Sequence, residues 1–176
     1  MKIGLCGTMS VGKTTLVNAL KELPEFKDYM FRTERSKYLM EQGIPLNTDS
    51  TFKGQLVFLA ERSLELLQEN IITDRTVIDV MAFARASTSM DHSEKYDFEQ
   101  VATLLIKDYD YIFYVSPEGV DMEDNGIRET DIKYRELIDS TITNFIKSKQ
   151  LLIKNYGILE GSTEERIKQL KFQLGL

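Results

Sequence analysis

The stretch Lys2-Ile3-Gly4-Leu5-Cys6-Gly7-Thr8-Met9-Ser10-Val11-Gly12-Lys13-Thr14 decides how this chain folds. Its first five residues form a short apolar run suited to a buried strand, and the rest reads G-x-x-x-x-G-K-T. Glycines at 7 and 12 let the backbone curl without Cβ clashes, so that N–H groups along Thr8, Ser10, Val11 and Gly12 turn inward as an anion nest. The helix expected over Thr14 to Glu22 adds the positive end of its dipole. Lys13 is placed to reach β and γ phosphates, the Thr14 hydroxyl to coordinate Mg²⁺, and Thr15 to line the same helical turn. Strand, glycine turn and helix occur together, so Gly7 to Thr15 are the candidate residues for binding a nucleoside triphosphate.

Working outward, 176 residues give enough chain for a proper core and are read as one domain, 1–176. With 42% hydrophobic residues, 28% charged residues and 3 prolines, the composition is that of a globular domain without low-complexity tracts. The single cysteine, Cys6, excludes a disulfide framework and points to a reducing compartment. It reads as a small buried hydrophobe. His92, the only histidine, lies in a polar stretch and reads as a surface loop residue. No apolar run approaches the roughly 18 residues that span a bilayer, and the chain starts directly on a strand, so a cytoplasmic protein without a signal peptide is expected. The net charge of −6 weighs against sequence-independent nucleic-acid binding, which depends on neutralising phosphates.

Strand-like runs occur at Lys2–Cys6, Tyr29–Thr33, Asn70–Thr73, Tyr111–Val115 and Leu151–Lys154. Between them the pattern is helical. Thr48-Asp49-Ser50 offers caps for a helix through Gln68, Asp79–Met90 and Glu94–Lys107 read as two more, and Asp131–Lys149 carries an apolar stripe. Ser162-Thr163-Glu164-Glu165 is a capping sequence for the last helix. Strands alternating with helices imply an α/β P-loop NTPase fold: a parallel sheet of about five strands, helices on both faces, and functional loops at the carboxyl ends of the strands.

The phosphate loop by itself does not separate kinases from GTPases or motor ATPases. A GTPase would carry D-x-x-G and N-K-x-D segments, and neither occurs. An AAA-type ATPase would bring a longer chain and an apolar strand ending in Asp-Glu, so that class is set aside too. Two features favour a kinase. Asp74-Arg75 follows a strand, and Glu123 to Arg135 is a polar, glycine-containing loop running into a helix. Read as a short lid over about 120–135, that loop would close on the nucleotide and lend cations to the transferring phosphoryl group.

The order of phosphate loop, Arg32-Thr33-Glu34-Arg35, Thr73-Asp74-Arg75 and Asp124-Asn125-Gly126-Ile127-Arg128 resembles the small P-loop kinases related to ribosylnicotinamide kinase. Phage-encoded nucleotide and deoxynucleoside kinases of similar length belong to that group. The likeness runs through most of the chain, with Thr76 standing where many relatives have Ser.

The expected activity is transfer of the γ-phosphoryl group of ATP, with Mg²⁺, to a hydroxyl of a nucleoside- or nucleotide-like acceptor. Lys13 would neutralise the phosphates, and Thr14 and Asp74 would hold the metal. Asp74 and Glu34 are both base candidates. The resemblance favours Glu34 as base and Asp74 as metal or substrate ligand. Arg75 would steer the acceptor or the phosphates, with Arg35 a weaker candidate for the same work. Arg128 would be the lid cation, assisted by Arg135. Gly161-Ser162-Thr163 is where the resemblance lays the adenine. Ile44 to Gln55 and the helix after Asp74 should line the acceptor pocket, with Phe52, Phe58, Phe83 and Arg85 as wall candidates, although rings at helical spacing are more often core. A hydroxymethylated base in DNA is an alternative acceptor, served by a patch of Lys21, Lys27, Arg32, Arg35 and Lys37, which the net charge does not favour. A regulatory NTP-binding switch is the alternative from another class. The resemblance also admits a homodimer.

Overall fold

The computed structural model describes residues 1–33, 35–119 and 132–176. Among these, β1 (Lys2–Cys6), β2 (Met30–Arg32), β3 (Ile71–Asp74), β4 (Tyr111–Val115) and β5 (Tyr156–Leu159) form one parallel sheet in the order β2-β3-β1-β4-β5. β1 is therefore central. Its Leu5 lies opposite Asp74 on one side, and its Cys6 lies opposite Tyr114 on the other. From β1 the chain runs to the edge at β2, returns to β3, then crosses to β4 and β5 on the other side of β1, and open α/β sheets take their ligands at the carboxyl end of such a reversal point.

Side chains alternate along β1, and the two faces are covered by different helices. Ile3 and Leu5 join Ile72, Phe113, Val115 and Leu159 under α1 (Lys13–Lys21) and α7 (Thr163–Leu174). Cys6, Ile112 and Tyr114 pack with α3 (Phe52–Glu65), α4 (Val77–Ala86), α5 (His92–Thr103) and α6 (Ile132–Ser148). The α6 stripe of Tyr134, Ile138, Ile142, Phe145 and Ile146 recurs at three- and four-residue spacing, which places one face inward. Each fully buried Leu or Ile in these layers contributes about 1.5–3 kcal/mol. Among the described residues no helix is long and apolar enough to cross a membrane.

The structure corrects the sequence reading in several places. The fifth strand is not Leu151–Lys154 but Tyr156–Leu159, and Gln150–Leu152 is a turn of 3-10 helix with Leu151 fully exposed. The apolar Leu-Leu-Ile run closes α6, and the edge strand follows it. That strand buries only alternate residues, and its Gly157 stands where a Cβ would crowd Gln173 and lie 2.8 Å from Phe113. The cap of α3 is Thr51, whose hydroxyl accepts from the Gly54 N–H (3.2 Å), and α3 ends at Glu65. A short helix, α2 (Ser36–Glu41), was not anticipated; it buries one residue, Leu39. His92 opens α5, behind the capping Asp91.

Candidate active site

Directly after β1 the backbone turns at Gly7, with φ +147°, and a Cβ there would stand 2.7 Å from the Val115 carbonyl. Gly12, with φ +82°, is the N-cap of α1, which has neither a side-chain cap nor an acid in its first turn. The positive end of this helix is thus left to a ligand. Thr8, Ser10 and Val11 are buried between the two glycines, while Thr15 sits on the exposed side of the first turn.

The Lys13 side chain is buried over the loop, its ammonium donating to the carbonyls of Gly7 (2.8 Å) and Thr8 (2.6 Å). Desolvation, followed by the nearby Arg75 guanidinium, lowers its pKa from 10.5 to about 8, against the opposing pull of Asp74 and Asp79. The Thr14 hydroxyl donates to Asp74 Oδ2. Asp74 is buried at the end of β3, and its Oδ1 has no hydrogen-bond partner among the described residues. A hydroxyl beside a carboxylate with an unsatisfied oxygen suits a hard cation such as Mg²⁺. The described residues contain no cluster of three His, Cys, Asp or Glu that could cage a metal alone. Such a pair fits an ion that keeps most of its ligands from water and phosphate.

Arg75 adopts φ +96°, a conformation costing about 1–3 kcal/mol for a residue with a side chain. Its N–H donates to the Leu5 carbonyl (2.9 Å), and its own carbonyl accepts from the Thr73 hydroxyl (2.9 Å). These bonds fix the strained turn against β1. The guanidinium lies 3.5 Å from Asp79 and 4.8 Å over the Phe83 ring. Asp79, read from the sequence only as the start of a helix, ties the site together. One carboxylate oxygen accepts from the Gly7 N–H (3.1 Å); the other accepts from the Thr76 N–H (2.7 Å) and hydroxyl (2.9 Å). Its only sequence signal is the Thr76-x-x-Asp79 capping pattern.

Arg166 was missed altogether. It is buried on α7, donates to the carbonyls of Val11 (2.6 Å) and Ser116 (3.1 Å), and has its pKa lowered by desolvation. A basic residue in an amphipathic helix reads as solvated, so no local pattern marks it. Arg135 meets the loop through its backbone, the carbonyl accepting from the Thr8 hydroxyl (3.0 Å). Gly161-Ser162-Thr163 follows β5 directly and opens α7, with Ser162 and Glu165 forming a capping box.

On the other side of Asp74, Arg62 of α3 is buried, donating to the Asp74 carbonyl (3.3 Å) and to Glu65 Oε1 (2.8 Å). Burial lifts the Glu65 carboxyl from 4.5 to about 7, although Arg62 opposes the rise. Gln55, one turn into α3, is buried with no side-chain hydrogen bond among the described residues. Phe52 packs on Phe98, Phe58 on the core, and Phe83 beside Tyr134, the core role that spacing favoured. Arg85 pairs with Glu99 and stacks on Phe145. It belongs to the last turn of α4, and α4 leads away from the end of β3. Arg35 is exposed, paired with Glu61 (3.1 Å) and stacked on Tyr38. Glu34 and Arg128, with most of the lid, lie outside the described residues.

A family model described as "AAA domain" matches residues 2–166. No curated protein matches the chain by sequence. Among solved structures, deoxyadenosine kinase from M. mycoides with products dCMP and a flexible dCDP bound has a TM-score of 0.71 at 21% identity, covering 99% of this chain and 98% of that one. The same enzyme with bound dCTP gives 0.73 at 21% identity, covering 99% of both chains. NadR protein in complex with NR gives 0.77 at 18% identity, covering 99% of this chain but 51% of NadR. The fold is that of these kinases, as the resemblance in sequence implied. The family match also corrects the exclusion drawn from the missing Asp-Glu strand end, because β3 ends in a single acid, Asp74, and the family model still matches.

Proposed function

The chain belongs to this AAA-domain family, and on that premise we propose that it is an ATP-dependent kinase acting on a hydroxyl of a nucleoside-like acceptor. The observation that carries the reading is the Thr14 hydroxyl on the Asp74 carboxylate, directly below the glycine nest and Lys13. Phosphoryl transfer asks mainly for positioning and charge stabilisation, and this arrangement offers both. The nest and α1 terminus bind the β and γ phosphates. Lys13 exchanges its two carbonyl partners for phosphate oxygens. Mg²⁺ held at Thr14 and Asp74 would neutralise charge that develops on the phosphates.

The acceptor oxygen attacks the γ-phosphorus, the bond to the β-bridging oxygen breaks, and ADP leaves. Glu34, which the resemblance favours over Asp74, would take the acceptor's proton, and Arg128 would supply the lid cation. Arg75, held over Phe83 by Asp79, is the cation that would steer the acceptor or the phosphates. The similar solved structures carry dCMP, dCDP, dCTP or NR, and these support an acceptor of nucleoside type. The buried amide of Gln55 gives α3 a hydrogen-bonding group that an acceptor's polar edge can satisfy.

A thermal-shift panel tests the two-site reading. With a nonhydrolysable ATP analogue and Mg²⁺ present, one nucleoside should raise the melting temperature further. A panel in which no nucleoside adds to the analogue contradicts it.

A further inference from the structure

Arg166 lies 155 residues along the chain from the loop it touches. It is 3% exposed, and its two terminal nitrogens donate to Val11 and Ser116 carbonyls. The Ser116 N–H in turn donates to the Leu159 carbonyl (3.0 Å), so one guanidinium joins the phosphate loop to the ends of β4 and β5. A Cβ on Gly12 would lie 3.1 Å from the same nitrogen that holds Val11.

Two physical consequences follow from this grip. A trans peptide unit is planar, and its C=O and N–H point in opposite directions. The chain has no cis peptide among its described residues, so a cation holding the Val11 carbonyl from outside turns the Gly12 N–H toward the inside of the loop. The second consequence is electrostatic. No carboxylate pairs with Arg166 among the described residues. A desolvated guanidinium held by carbonyl dipoles alone leaves a positive charge behind the nest, and an anion in the nest is what balances it.

We propose that Arg166 is a positioning residue for the triphosphate, fixing the Val11–Gly12 peptide so that its N–H meets phosphate and adding a buried positive charge behind the loop. The proposal rests on reading Gly7 to Thr15 as the nucleotide site. It assigns to α7 a part in phosphate binding beyond covering the sheet.

Calorimetric titration of the full chain with Mg·ATP and, separately, with tripolyphosphate tests it. The set is the wild type, Arg166→Met, Arg166→Lys and Lys171→Ala, the last removing another tie of α7, to Glu25. Arg166→Met should weaken both ligands by the same factor, about tenfold or more, because charge-assisted hydrogen bonds and their orientation are lost. Arg166→Lys should recover part of the loss, and Lys171→Ala should leave both affinities unchanged. Should Arg166→Met fail to fold, Arg166→Lys carries the test, with a several-fold loss for both ligands expected. Affinities within about twofold of wild type in the folded Arg166 variants overturn the proposal, as does a loss confined to ATP with tripolyphosphate unmoved. A wild-type protein that binds neither ligand overturns the nucleotide-site reading itself.

Discussion

Two buried arginines, Arg62 on α3 and Arg166 on α7, belong to the helical layers on opposite faces of the sheet, and both approach the site through backbone carbonyls. Arg62 is paired inside the fold with Glu65, with Glu61 4.0 Å away. Among the described residues, Arg166 has carbonyls only. The α3 side is therefore electrostatically closed and serves as a frame for the end of β3. The α7 side keeps a positive charge that a ligand completes. Donor and acceptor halves of the proposed kinase differ in the same way, one awaiting a polyanion and the other a largely uncharged group.

The largest effect is expected on the donor side. Lys13→Ala should reduce phosphoryl transfer by about 10²–10³-fold, the scale for losing one preorganised transition-state donor, while circular dichroism shows the fold intact. Next comes the stability of the closed side. Arg62→Met leaves Glu65 buried without its partner and should cost about 3–5 kcal/mol in urea denaturation. Arg166→Met strands no carboxylate and should cost clearly less. Equal losses for the two arginines would break the contrast between the halves.

Gly4→Ala sharpens the comparison from the centre of the sheet. The added methyl would collide with the Thr76 methyl and lie 2.8 Å from the buried Tyr109 ring, at an overpacking cost of about 1–3 kcal/mol. Denaturation should show that loss, with Mg·ATP affinity retained in the folded fraction.

The smallest effect concerns pH. The Lys13 pKa without ligand is lowered to about 8, and bound phosphate favours the charged ammonium, so binding takes up a proton above that pH. Mg·ATP affinity should fall as pH rises through about 8, by no more than about tenfold per pH unit, and Lys13→Arg should flatten the slope. For folding the sign is opposite: with a native pKa below the unfolded 10.5, this group makes the ligand-free protein more stable as pH rises from about 8 to 10.5.

How legible the molecule was depended on how local each determinant is. The phosphate loop could be read because its strand, two glycines and Lys13-Thr14 are contiguous; β1, β3 and β4 were located because they bury continuous runs, and β2, which buries none, because Tyr29 to Thr33 is rich in aromatic residues. β5 was misplaced because an edge strand buries alternate positions and contains Gly157, while the more apolar Leu151-Leu152 stands at an exposed turn. Asp79 showed only a capping pattern and Arg166 no signal at all, because the loop residues they bond lie 72 and 155 positions away. Arg85 looked like a pocket residue by its place after Asp74, but the direction of α4 carries it to Glu99 and Phe145.

Transfer of labelled γ-phosphate from ATP, with Mg²⁺, to a panel of deoxynucleosides, ribonucleosides, nucleoside monophosphates, NR and duplex DNA tests the central claim most directly. Label on a nucleoside-type hydroxyl, lost in Lys13→Ala, is the expected result. Label on DNA alone, or ATP hydrolysis stimulated by a protein partner with no labelled acceptor, would contradict it.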